Sequence, residues 1–200
     1  MADRDTPTGT TIRLTQPAWL GAWLHRPTPP DDDECRIEEV LALAREHVER
    51  GSGGPFAAVV YDLRTGQRLG VALNTTIESH CAAAHAELQA LSLAQQQIGC
   101  HTLDAVPCVL VSSSAPCTMC LGAIAWSGVR RLVFATSRND VEAIGFDEGP
   151  PTPHWRRELH RRGIAVRGPL RRRQGQTILQ LYLDRGGPIY NGPASALSGC

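Results

Sequence analysis

One imidazole, two thiols and one carboxylate stand in this chain at spacings suited to metal-assisted hydrolysis: His85-Ala86-Glu87, then Pro116-Cys117-Thr118-Met119-Cys120. His85, Cys117 and Cys120 offer the nitrogen and sulfur donors that zinc takes, and three protein ligands leave a tetrahedral ion one open position. Water held there ionises near pH ~7 and becomes a nucleophile. Glu87 stands beside the imidazole without being needed as a ligand. It is therefore the group expected to take a proton from that water and return it to a substrate nitrogen and leaving amine. The rival reading is a structural zinc. Cys81 precedes His85 by four residues, so a helix running through both would complete a closed Cys3His site with no room for water and no task for Glu87.

These side chains need elements that bring them together. From Asp33 onward Ile37, Val40, Leu41, Ala44 and Val48 recur at helical steps, with acids in the first turn and Gly51 as the stop. Phe56 to Tyr61 and Gln67 to Leu73 read as a hairpin around Asp62-Leu63-Arg64-Thr65-Gly66. A helix is expected from Ala82 to Ile98, with Leu88, Leu91 and Ile98 inward and with His85 and Glu87 in its first turns. Two residues apart on an ideal helix, those two side chains would diverge by roughly 200°.

Val109-Leu110-Val111 reads as a buried strand, Cys117 to Trp126 as a second ligand-bearing helix and Arg131 to Ala135 as the next strand. Short helices at Asp140–Ile144 and Trp155–Arg162 and a strand at Ile164–Arg167 follow. Thr177 to Leu183 is ambiguous. Its four-residue pairs Ile178/Tyr182 and Leu179/Leu183 favour helix. Strands alternating with helices predict an α/β layered sheet. Both ligand-bearing helices would start at the metal, where unpaired N–H groups and the positive dipole end favour thiolate over thiol.

Residues 1–33 read as a loosely structured N-terminal extension, rich in Thr, Pro and Asp, with an apolar patch from Pro17 to Leu24 that can form one helix. Residues 34–191 form the expected single domain and 192–200 a tail. Twenty basic and twenty acidic residues cancel, so net charge argues for a small, weakly charged substrate and makes a nucleic-acid partner unlikely. Every basic residue is arginine, which excludes a Schiff-base lysine, a pyridoxal-phosphate site and a P-loop. Seven cysteines, an odd number, without a hydrophobic leader favour metal ligation in the cytoplasm over a secreted disulfide framework. No apolar run approaches the ~18 residues of a membrane helix.

The motifs resemble the cytidine deaminase superfamily, and most of all its guanine deaminase branch. The resemblance spans about residues 35–150 through Gly54-Pro55-Phe56, Asn74, His85-Ala86-Glu87-Leu88, Pro116-Cys117 to Ile124, and Gly145-Phe146-Asp147-Glu148. An H-x-E followed by P-C-x-x-C is the pattern of the zinc deaminases. Gly-Phe-Asp followed by an acid separates guanine deaminases from tRNA adenosine deaminases. The resemblance implies a three-layer α/β/α fold around a central mixed sheet of about five strands. It also implies Glu148 as a second proton shuttle, Asn74 bonded to the purine edge, and Phe56 and Trp126 near the ring. The family exchanges its C-terminal segment between subunits, so Ile189-Tyr190-Asn191 is expected to cap a neighbour's pocket in a homodimer. Ala115 departs from a common Glu, and Ala57 from a common Gly.

The implied activity is hydrolysis of guanine to xanthine and ammonia, a step of purine metabolism. Other aminated rings stay open: cytosine, a pterin, a triazine such as ammeline, or a biosynthetic intermediate. A tRNA adenosine deaminase would need a basic face, for which Arg156-Arg157, Arg161-Arg162 and Arg171-Arg172-Arg173 are the candidates, offset by Asp31-Asp32-Asp33-Glu34.

Overall fold

A computed structural model describes residues 12–191; residues 1–11 of the expected extension and the expected tail 192–200, with Cys200, lie outside the described residues. The hairpin forms as β1 (Ala57–Asp62) against antiparallel β2 (Arg68–Leu73), and its turn is held by Arg64 N donating to Asp62 Oδ1 at 2.8 Å. β3 (Cys108–Ser114) pairs antiparallel with β1, and β4 (Arg131–Thr136) and β5 (Ala165–Arg167) extend the sheet in parallel, giving the order β2-β1-β3-β4-β5. This is the mixed five-stranded sheet expected. β3 is buried along its whole length, which is why it reads as a continuous apolar run before turning polar at Ser112-Ser113-Ser114.

Helices cover both faces. α3 (Ala86–Ile98) and α4 (Thr118–Ser127) pack on one, α2 (Asp33–Glu49) and α7 (Arg172–Asp184) on the other. Asp32 caps α2 by accepting from Cys35 N at 3.3 Å. The buried stripe of α3 is Ala86, Ala90, Leu91 and Ala94, whereas Leu88 and Ile98, expected inward, are half-buried. The small residues have a reason: α3 lies so close to β2 that a Cβ on Gly70 would fall 2.1 Å from Ala90 O.

Two boundaries differ from expectation. α3 begins at Ala86, because residues 75–85 close on themselves in turns, with Thr75 N donating to Ala84 O at 3.0 Å and Cys81 N to Thr76 O at 3.1 Å. The ambiguous C-terminal segment is helix, and α7 starts earlier, at Arg172. Arg171 pairs with Glu34 and Glu38 at 3.2 and 2.7 Å, and Arg172 with Asp140 at 2.8 Å, so this part of the arginine run docks the helix on α2 and on α5 (Arg138–Glu142).

Residues 12–33 are not the loose arm expected. α1 (Trp19–Trp23) buries Leu20 and Trp23 in the core. Gln16 accepts from Leu73 N at 2.8 Å and donates to Gln89 at 2.8 Å, while Arg68 donates to Arg26 O and Pro27 O at 2.9 and 2.7 Å. The segment thus completes the exposed edge of β2, a placement that no local periodicity announces. α6 (Trp155–Arg161) leads into β5 as expected. Among the described residues no helix is long and apolar enough to cross a membrane.

Candidate active site

His85 is the N-cap of α3 and Cys117 the N-cap of α4, both with extended backbone (ψ 148° and 173°). The ideal-helix divergence expected between His85 and Glu87 therefore does not apply. His85 leaves the chain just before the helix begins and Glu87 just after, and both side chains reach one cavity. Cys120, one turn into α4, completes the cluster. His85 Nδ1 lies 3.6 Å from Cys117 Sγ and 3.6 Å from Cys120 Sγ. Zinc–nitrogen and zinc–sulfur bonds of about 2.05 and 2.3 Å at the tetrahedral angle put N and S about 3.6 Å apart. The donors thus fit a tetrahedral zinc ion. Among the described residues the metal-holding group contains only these three, and Cys81 is not in it. Cys81 belongs to the turn region before α3, not to the helix face that the closed-site reading requires.

The protons of the cluster are unequally held. A hydrogen bond from Cys120 and the adjacent His85 hold the Cys117 thiol down to about 4, against the pull of burial. Cys120, which donates that bond and is buried beside Glu87, is pushed up. Burial works against charge on His85, yet its bond to Cys117 and the nearby negative charge raise its pKa.

Two carboxyls face the cluster from different elements. Glu87 is 5% exposed; its Oε1 accepts from Ser112 Oγ at 3.0 Å and its Oε2 lies 3.6 Å from Cys120 Sγ. Burial, then the charge of Cys117, raises its pKa. Glu148 arrives on the loop after α5, pinned to the first turn of α4 by Thr118, whose N donates to Glu148 O at 3.2 Å and whose hydroxyl donates to Pro150 O at 2.7 Å. Burial, then Cys117 and Glu87, pushes its pKa up to about 8.

The cavity above the cluster is walled by Phe56, Asn74, Ser114, Ala115, Tyr190 and Asn191. It holds about 10 Å³, room for roughly one water. Phe146 props this wall: its ring lies 5.2 Å from Phe56 and 4.9 Å from Tyr190, edge to face. Asn191 Nδ2 donates to Asp147 O at 2.5 Å. Tyr190 OH and Asn191 Oδ1 are buried and have no hydrogen-bond partner among the described residues. Of the expected ring-packing residues, Phe56 lines the cavity and Trp126 does not: it is 78% exposed on the outer side of α4. The helical turn that aims Cys120 inward carries Trp126 outward.

Sequence reasoning passed over Ser112 and Ser114. The available cue for the serines was the polar end of an otherwise apolar buried strand, reached just before Pro116-Cys117.

A three-donor zinc site at the N-termini of two helices, fed by the carboxyl ends of parallel strands and flanked by a buried acid, defines a metal-dependent hydrolase built on an α/β sheet. The model of the cytidine and deoxycytidylate deaminase zinc-binding region matches residues 30–136, and the chain belongs to that family. Guanine deaminase of Bacillus subtilis (strain 168) is 36% identical over 115 residues, 58% of this chain and 71% of that protein. A crystal structure holding 2,6-diaminopurine superposes with a TM-score of 0.84 at 41% identity, covering 90% of this chain and 97% of its own. The guanine deaminase from Nitrosomonas europaea superposes with a TM-score of 0.82 at 39% identity, covering 88% and 98%. The chain is a zinc-dependent hydrolytic deaminase acting on a carbon–nitrogen bond of a nucleobase-type ring.

Proposed function

We propose that the substrate is guanine, converted with one water to xanthine and ammonia. The observation that carries this reading is the pairing of two buried carboxyls, Glu87 and Glu148, across one cavity with an amide, Asn74, in its wall. Similarity to guanine deaminases, and to a protein crystallised with a diaminopurine, supports a purine ring over cytosine, a pterin or a triazine.

Zinc, when bound by His85, Cys117 and Cys120, supplies a lowered pKa for water in its open position. Glu87 is the proton carrier of the first step. It takes the proton of the attacking water and places it on the ring nitrogen beside the amino-bearing carbon. The Ser112 hydroxyl holds Glu87 Oε1, leaving Oε2 at the metal side for the transfer. Glu148, whose proton affinity burial raises, hands a proton to the departing amine as the carbon–nitrogen bond breaks, while Glu87 takes the proton released by the new C–OH group, and that proton restores Glu148. Asn74 orients the ring: its Oδ1 accepts from Thr76 N at 3.2 Å, which leaves the Nδ2 donors for a ring carbonyl or nitrogen. Phe56 packs against the ring, and Tyr190 OH and Asn191 Oδ1 find their missing partners on the substrate.

On this reading the segment 189–191, whose Tyr190 and Asn191 wall the pocket, moves aside to admit the ring and then shields it from water. The described chain places this segment on its own pocket; a homodimer, with or without exchange of the segment, is part of the proposal. A thiolate-dependent site suits a reducing compartment such as the cytoplasm. The arginines that would hold RNA are largely engaged: Arg161 with Glu158 at 3.4 Å, Arg157 with Glu158 at 3.7 Å, and Arg171 and Arg172 as above. This favours a free base over tRNA. The test is ammonia release from guanine, adenine, cytosine and ammeline by wild type and Glu87→Ala. Turnover of guanine by wild type, with zinc retained and turnover abolished in the variant, is expected; selective turnover of another ring, or substantial residual activity, defeats the reading.

A further inference from the structure

Asn74 is fixed at both ends of its peptide, and one end is held by a residue that the chemistry does not use. Its N–H donates to Phe56 O at 2.9 Å, which ties it to the hairpin. Its carbonyl accepts from His47 Nε2 at 2.8 Å. His47 lies on α2, fully buried, and is far from the metal in sequence and in role.

A carbonyl can only accept, so Nε2 carries the hydrogen and Nδ1 must be the acceptor. Nδ1 has a matching donor in Ser52 Oγ at 2.7 Å. The Ser52 oxygen in turn accepts from Trp19 Nε1 at 3.1 Å. The donors thus run in one direction: indole of α1 to serine, serine to histidine, histidine to the backbone of Asn74. One neutral tautomer of His47 satisfies all three links, the single Ser52 proton going to Nδ1 at 2.7 Å in preference to the His47 carbonyl at 3.3 Å.

The two glycines before Pro55 are shaped to this arrangement. A Cβ on Gly53, whose φ is +156°, would lie 2.4 Å from His47 Nε2 and 2.5 Å from Asn74 O, in the middle of the hydrogen bond. A Cβ on Gly54 would lie 2.9 Å from Tyr190 OH and 3.3 Å from Asn74 Oδ1. Gly53 clears space for the backbone end of Asn74 and Gly54 for its amide end.

We propose that His47 is a positioning residue for substrate recognition: through its bond to Asn74 O, with its tautomer locked by Ser52 and Trp19, it fixes the direction in which the Asn74 amide meets the ring. The inference rests on the reading of Asn74 as a substrate-holding residue. It couples α1, which lies outside the metal-binding elements, to the choice of substrate. A residue acting this way governs binding and leaves proton transfer by Glu87 intact.

Steady-state ammonia release from guanine, with zinc content measured on each preparation, tests it. His47→Leu is expected to raise KM about fivefold, the loss of one net hydrogen bond, with kcat within about twofold of wild type and zinc unchanged. His47→Gln, which keeps a donor, recovers most of that loss. Ser52→Ala raises KM about twofold, and ¹⁵N NMR of the ring shows the single Nε2–H tautomer of wild type giving way to a mixture. On an Asn74→Ala background His47→Leu adds nothing further, because the two act as one unit. A wild-type KM in His47→Leu, or additive effects in the double variant, overturns the proposal. If His47→Leu does not fold, an unchanged tautomer and KM in Ser52→Ala overturns it instead. If Asn74→Ala itself leaves KM unchanged, it is the substrate-holding role of Asn74 that fails.

Discussion

Lowering the pH from 7.5 to 5 is expected to cost the folded chain about 2 kcal/mol through His47 alone. Burial holds this imidazole down to about 4 from its ordinary 6.5. A second proton on Nδ1 would turn the Ser52 hydroxyl from the ring to the His47 carbonyl, 3.3 Å away, so burial of the charge and not this bond carries the shift. The unfolded chain takes up the proton as pH falls through ~6.5, the folded chain only near ~4, so the unfolded state binds more protons throughout that window. The stability contributed by the neutral ring is complete above pH 6.5 and is lost as pH falls, reaching a total of roughly 3 kcal/mol below pH 4 at 1.36 kcal/mol per pKa unit. Urea unfolding of wild type and His47→Gln at pH 7.5, 6 and 5 measures it. Protonation of the zinc ligands weighs on both proteins alike and cancels in the difference. The gap between the two should narrow by about 2 kcal/mol from pH 7.5 to 5. Curves that stay parallel would refute the reasoning.

Other substitutions probe the metal, the proton carrier and the scaffold. Cys81→Ser should keep one zinc per chain while Cys120→Ala loses it, read by metal analysis; loss from Cys81→Ser would revive the closed Cys3His site. Ser112→Ala should lower kcat about tenfold with zinc and KM little changed, since it frees a carboxylate from a hydrogen bond of about 1.5–3 kcal/mol. Gly128→Ala should lower unfolding stability by about 2 kcal/mol, because φ there is +83° and the new Cβ would meet Thr102 Oγ1 at 2.5 Å.

The zinc ligands were legible because metal chemistry restricts residue type and spacing together. His85, Cys117 and Cys120 could be named before any fold was known, and the geometry joins them at 3.6 Å. The sheet was legible for a related reason: Val109-Leu110-Val111 and the hairpin carry strand patterns that tertiary packing reinforces. Helix starts were harder. The run from Ala82 is rich in alanine and reads as helix, yet the turn bonds of Thr75 and Cys81 delay α3 to Ala86, and that delay makes His85 an N-cap. Trp126 shows the opposite failure: the resemblance placed it near the ring, and the period of α4 turns it to the surface. His47 was passed over, because its partner is a backbone carbonyl that leaves no mark in residue identity.

Charge balance explains why these acids stand where they do. Burial raises the proton affinity of both Glu87 and Glu148, the charge of Cys117 raises it further on each, and that of Glu87 adds to it on Glu148. Left to themselves both carboxyls hold a proton more tightly than a carboxyl in water. A dication on two thiolates offsets that negative charge and must release thiol protons as it binds. The carboxyls then lie between two limits, drawn down by the cation and held up by burial, which is where a group must lie to accept and return a proton near neutral pH. Ser112 biases Glu87 towards the ionised form by donating to it, while Glu148, anchored among the described residues through its backbone to Thr118, has its proton affinity raised by burial and by the charges of Cys117 and Glu87. The two carboxyls are therefore not interchangeable, and on the proposed reading Glu87 begins by accepting a proton and Glu148 by holding one.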